Sequence, residues 1–129
     1  MNNFVIDAYA WIEYFNGTKL GQKVKEIIEN ADNVIYTNLI TVAELVSSYT
    51  RNKLSFEEER KIILNLSNLY NLDFGFAEEA GELHAEIKKT RKHMGMADVF
   101  VLLTARKLNA KVVTGDEDFR GLKEVIMIK

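Results

Sequence analysis

Four short apolar runs, Phe4-Val5-Ile6, Val34-Ile35-Tyr36, Lys111-Val112-Val113 and Val125-Ile126-Met127-Ile128, are separated by long stretches whose apolar residues recur with helical periodicity. Runs of this length suit strands buried on both faces. Leu72-Asp73-Phe74 is a weaker fifth candidate. Among the helical stretches, Leu20, Val24, Ile27 and Ile28 share a face, as do Val42, Leu45, Val46 and Tyr49. The same holds for Ile62, Ile63, Leu66 and Leu69, and for Val99, Leu102, Leu103 and Leu108, while Leu83 and Ile87 mark a further helix after Phe76. Strands that alternate with helices need crossover connections, and crossovers give a parallel sheet covered on both faces. The order reads β-α-α-β-α-α-β-α-α-β-β. The expected fold is therefore α/β, a three-layer α/β/α sandwich with a central, mainly parallel sheet.

Nothing divides the chain. Its 129 residues contain no proline, repeat, low-complexity tract or long charge run, so a single domain over residues 1–129 is expected. The absence of cysteine excludes thiolate zinc sites, redox pairs and cysteine nucleophiles, and agrees with a reducing, cytoplasmic setting. The opening M-N-N-F-V-I-D has no basic segment and meets a charge after three apolar residues, unlike a signal peptide or membrane span. A net charge of −2 gives no overall attraction to nucleic acid. Contact with nucleic acid would need a local basic patch or bound cations.

In an open parallel sheet, ligands bind beyond the carboxyl ends of the strands. The residues expected there are mostly acidic. Asp7 follows Phe4-Val5-Ile6, and Asp116 follows K-V-V-T-G. Asp98, in M-G-M-A-D-V-F, falls at a helix start, and Glu44 lies one turn into the helix after N-V-I-Y-T. If the four converge, each pair of carboxylates at 4 Å repels by about 4 kcal/mol at an effective dielectric near 20. The surrounding motifs offer no Arg or Lys as counter-charge, which leaves raised pKa values or bound cations. For an all-oxygen site the fitting cations are Mg²⁺ and Mn²⁺. A carboxylate-held metal with open positions supports phosphodiester hydrolysis.

Each acid also has an ordinary structural role open to it. Asp7 could cap the helix starting at Ala8, and Asp98 could serve as a first-turn partner of the helix dipole. Glu44 points away from its helix's apolar stripe and could simply face solvent. Asp116 and Asp118, in T-G-D-E-D-F, could be turn residues. Their joint placement at one sheet edge is what favours a site.

Four segments together resemble the PIN domain, in particular the VapC-like toxins of prokaryotic toxin–antitoxin pairs. They are V-I-D-A-Y-A-W-I from Val5, T-V-A-E-L from Thr41, G-M-A-D-V-F-V-L-L-T-A from Gly95 and V-V-T-G-D-E-D-F from Val112. The resemblance implies a ribonuclease in which Asp7, Glu44, Asp98 and Asp116 hold one or two Mg²⁺ or Mn²⁺ ions. It implies in-line attack by water on RNA, leaving a 3′-hydroxyl and a 5′-phosphate. It casts Asp118 as an auxiliary ligand or outer partner, Thr114 as a hydroxyl orienting Asp7 or a water, and Thr41 as a capping residue. A small antitoxin protein and a second copy of the chain are the implied partners. Many relatives have a proline before the helix carrying Glu44, where this chain has T-N-L-I-T.

Lys88, Lys89, Arg91 and Lys92, with His93, lead into the segment before Asp98 and could hold RNA phosphates, or form a solvated helix end. Arg51, Lys53, Arg60 and Lys61 read as surface. Trp11, Tyr14 and Phe15 fall on one helical face, suited to core packing or to an interface with a second copy or antitoxin segment. His84 and His93, without cysteine nearby, do not make a zinc site. No dinucleotide or nucleotide-triphosphate phosphate loop and no G-x-S-x-G elbow is present. The competing functions are a housekeeping RNA-processing nuclease and a non-cleaving protein that binds metal, RNA or antitoxin. A phosphoacceptor receiver would want adjacent acids after the first strand, where Asp7 stands alone.

Overall fold

The computed structural model describes residues 2–129. Strand β1 (Asn2–Ile6) leads into α1 (Ala8–Asn16) and α2 (Lys19–Ile28), followed by β2 (Asn33–Asn38), α3 (Leu39–Arg51) and α4 (Glu57–Leu66). Then come β3 (Asn68–Tyr70), α5 (Phe74–Ile87), α6 (Met96–Leu108), β4 (Lys111–Thr114), a 3-10 turn (Glu117–Phe119) and β5 (Val125–Met127). The five strands lie in the order β3-β2-β1-β4-β5, and every pairing is parallel.

Side-chain alternation along each central strand builds two separate cores. Val5 and Val112 face one side, where Ile87, Val99 and Leu102 of α5 and α6 cover them. Ile6 and Val113 face the other, against Ala10, Trp11, Val24, Leu45 and Ile63 of α1 to α4. The expected three layers are thus present, with helices on both sheet faces.

Two boundaries differ from the sequence reading. Leu72-Asp73-Phe74 is no strand: Asp73 accepts from Phe76 N at 2.8 Å and caps α5, so the helix claims the segment. The fifth strand sits just before it, and Leu69, read as part of a helical stripe, belongs to that strand because α4 ends at Leu66. The strand is short and at the sheet edge, where little of it is buried, so its apolar pattern is weak.

Helices α1 and α2 form a tight hairpin. Gly17 takes the left-handed conformation (φ 64°) that ends α1, and its N–H caps the carbonyls of Glu13 and Tyr14. At Gly21 the backbones touch: a Cβ there would lie 2.0 Å from the Glu13 carbonyl oxygen. Among the described residues no helix is long and apolar enough to cross a membrane.

From β1 the chain adds β2 and β3 on one side, then β4 and β5 on the other. The order therefore switches between β1 and β4, and a crevice opens beyond their carboxyl ends.

Candidate active site

Asp7 occupies that crevice. Its N–H continues the sheet by donating to the Val113 carbonyl, and its carboxylate caps α1, with Oδ1 accepting from Ala10 N at 2.9 Å. Oδ2 accepts from the Thr114 hydroxyl at 2.5 Å. Only 7% of Asp7 and none of Thr114 is exposed. Burial pushes the Asp7 carboxyl up to about 7, against the pull of the Thr114 and Ala10 hydrogen bonds, and the charges of Asp116 and Asp98 add to the rise.

Asp98 lies in the first turn of α6 and reaches back to accept from Gly95 N at 3.0 Å. Burial raises its carboxyl. The Gly95 bond partly opposes that rise, and Asp116 and Asp118 add to it. Asp116 follows β4, where its N–H donates to Thr114 Oγ1 at 3.0 Å and its Oδ1 accepts from Asp118 N at 2.9 Å, starting the 3-10 turn. The turn carries Asp118 round to the same side. Asp98, Asp116 and Asp118 each offer an oxygen, all within 4.8 Å of one another. Glu44 is exposed as a residue, but its carboxyl is partly desolvated and lies in the field of Asp98 and Asp116, which together raise it.

Capping and clustering are not rivals here. Asp7, Asp98 and Asp116 are all local caps, and capping is what fixes each carboxylate at the crevice. Asp118, expected as an auxiliary, stands in the tightest group, whereas both oxygens of Asp7 are already hydrogen-bonded. Among the described residues no Lys, Arg or His forms an ion pair with any of the five acids. At 4.8 Å each carboxylate pair repels by about 3 kcal/mol at an effective dielectric near 20. An all-oxygen triad of this size, with no ion pair to its carboxylates among the described residues, fits a hard divalent cation such as Mg²⁺ or Mn²⁺.

The PIN domain family model matches residues 4–125. The chain belongs to the PIN domain family. No curated protein matches it significantly in sequence. Solved structures do match in fold. A toxin–antitoxin complex from Klebsiella pneumoniae superposes with a TM-score of 0.74 at 23% identity, covering 97% of each chain. A sarcin–ricin loop cleaving VapC toxin from Mycobacterium tuberculosis gives 0.74 at 16% identity, covering 95% of this chain and 98% of that one. DNA-bound VapBC from Salmonella typhimurium gives 0.70 at 18%, covering all of both chains.

Around the acids of this PIN domain, the basic residues are partly engaged. Lys89 pairs with Glu86 at 3.0 Å, and Lys88 donates to the Lys92 carbonyl at 2.6 Å. Lys92 is exposed. Arg91 turns inward, and its Nη1 donates to the Asp118 carbonyl at 3.1 Å. Thr41 does not cap α3. Asn38 does, accepting from Ile40 N at 2.8 Å, while the buried Thr41 hydroxyl has no partner among the described residues. Asn38 also donates to Thr104 at 2.8 Å, tying the start of the Glu44 helix to the Asp98 helix. Its capping role could have been found from the usual preference for Asn at such positions, in T-N-L-I-T. Trp11 is fully buried and donates to Thr37 at 3.1 Å, so that aromatic is core. Tyr14 and Phe15 pack beside it, partly exposed.

Proposed function

We propose that this PIN domain is a Mg²⁺- or Mn²⁺-dependent endoribonuclease that acts in the cytoplasm as the toxin of a toxin–antitoxin pair. The single observation that carries the reading is the gathering of Asp98, Asp116 and Asp118 beside Asp7 and Glu44 at the switch point of a PIN fold. RNA as substrate is supported by the likeness to a sarcin–ricin loop cleaving toxin, and a small antitoxin partner by the likeness to toxin–antitoxin complexes. The assembly we propose for the toxin is a homodimer.

Asp98, Asp116 and Asp118 would hold one cation, and Asp7 and Glu44 would complete its shell or serve a second ion. When bound, such a cation lends Lewis-acid charge to a phosphate oxygen and acidifies water. The chain's own residues do the rest. Thr114 fixes the Asp7 carboxylate and, through the Asp116 N–H, the start of the acidic turn. Glu44, exposed on α3 and in the field of Asp98 and Asp116, would orient the attacking water and accept its proton. The exposed Lys88, Lys89 and Lys92, in the segment that leads to Asp98, would meet RNA phosphates, with Arg91 beside them.

The test is cleavage of a fluorescent RNA by purified protein with Mn²⁺, compared with excess chelator and with Asp116→Asn. Cleavage is expected only in the first sample, and full cleavage in either of the others would overturn the mechanism. Growth arrest on expression, relieved by a neighbouring small gene product, tests the toxin role, and sequencing RNA ends after brief induction identifies the target.

A further inference from the structure

Asp118 is held at both ends of its own peptide units. Its N–H donates to Asp116 Oδ1 at 2.9 Å, and its carbonyl accepts from Arg91 Nη1 at 3.1 Å. The two residues are 27 positions apart, so the contact ties the segment after α5 to the segment after β4. The space there is close: a Cβ at Gly121, where φ is +92°, would lie 3.3 Å from Arg91 Nη2. The Arg91 end is also anchored. Arg91 N donates to the Ile87 carbonyl at 2.8 Å, Met94 N donates to the Arg91 carbonyl at 3.2 Å, and the Met94 side chain is fully buried. The next residue, Gly95, donates its N–H to Asp98 Oδ2. A continuous path of covalent and hydrogen bonds therefore runs from Asp98 through Gly95, Met94 and Arg91 to Asp118, and on to Asp116.

We infer that Arg91 is a positioning residue for the acidic triad, which sets Asp118 against Asp98 by holding the Asp118 carbonyl. The inference rests on the metal-binding part of the function proposed above. It assigns Arg91 a role in the site that does not pass through RNA. Arginine suits the task because its planar donor fork stays charged and loses little freedom per bond.

Electrostatics and geometry make opposite predictions for its removal. Taking a positive charge from beside a cation site, with nothing else altered, strengthens cation binding. Releasing a ligand from its proper position weakens it, by about 10-fold to 100-fold for outer-shell supports of this kind. The experiment is isothermal titration of Mn²⁺ into metal-free parent, Arg91→Met, Asp118→Asn and the double variant, with no RNA present. Weaker Mn²⁺ binding by Arg91→Met, by about tenfold, is expected, with little further loss when Asp118→Asn is added, since both changes act on one ligand. Binding that is unchanged or tighter in Arg91→Met, or losses that simply add, would overturn the inference. Should Arg91→Met fail to fold by circular dichroism, Arg91→Gln takes its place. Its polar side chain is too short to reach the Asp118 carbonyl, so the same loss is expected and the same outcomes decide. A parent that binds no Mn²⁺ overturns the proposed function as well. A parent that binds, with Arg91→Met its equal, overturns only the role of Arg91.

Discussion

The Thr114 hydroxyl bridges the seam between β1 and β4, donating to Asp7 Oδ2 at 2.5 Å while accepting from Asp116 N at 3.0 Å. One buried hydroxyl thus serves the Asp7 carboxylate on one side of the switch point and the backbone N–H of Asp116 on the other. Thr114→Val keeps the shape and removes both bonds. It is expected to cost about 1–3 kcal/mol in urea unfolding of the metal-free protein at pH 8, while Thr114→Ser stays near parent. The Val variant should also lose Mn²⁺ affinity, measurable by calorimetry.

Burial makes ionised Asp7 a burden on the metal-free fold. Its carboxyl titrates near 7 when folded, against an ordinary value of 3.8. The folded state therefore holds more protons between these values, so this residue favours folding most below pH 4, less as pH rises to 7, and least above. A rise of about three units bounds the effect at about 4 kcal/mol. Asp7→Asn is expected to gain at least about 1 kcal/mol over parent at pH 8 and nothing at pH 4, by urea titration at the two pH values, and to lose RNA cleavage. A variant less stable than parent at pH 8 would contradict this assignment.

The triad ranks the acids differently from the sequence. Asp118→Asn is expected to weaken Mn²⁺ binding at least tenfold, because Asp118 lies in the group within 4.8 Å. Glu44→Gln, outside that group, is expected to lower kcat for RNA far more than it lowers Mn²⁺ affinity. Titration calorimetry together with single-turnover cleavage separates the two.

Gly21→Ala tests the α1–α2 hairpin. A methyl group at 2.0 Å from the Glu13 carbonyl cannot be absorbed by a rotamer change, since both partners are backbone. A loss of about 3 kcal/mol or more is expected in thermal or urea unfolding, at every pH.

Much of this was legible before the structure. The central strands showed because strands buried on both faces are apolar at consecutive positions, as in Phe4-Val5-Ile6 and Val112-Val113. The edge strand at Asn68–Tyr70 did not show, because it is short and only partly covered. Asp7, Asp98 and Asp116 could be seen at the ends of strands and helices, and Glu44 one turn into its helix. The standing of Asp118 could not, since it depends on a 3-10 turn that curls residue 118 back over residue 116. The contact of Arg91 with Asp118 was likewise hidden. Position in the chain grouped Arg91 with Lys88, Lys89 and Lys92 as a cluster for RNA phosphates or a solvated helix end, and a contact across 27 positions leaves no mark in such a pattern.

The two halves of the Thr114–Asp7 bond are made 107 positions apart during synthesis. The earliest carboxylate of the site is residue 7 and the last is residue 118, so no N-terminal fragment that ends before residue 118 carries a complete set. For a protein whose activity would be directed at RNA, this ordering would withhold the full set of acids until residue 118 has been synthesised. A protease cutting before β4 would leave an N-terminal piece without Asp116 and Asp118.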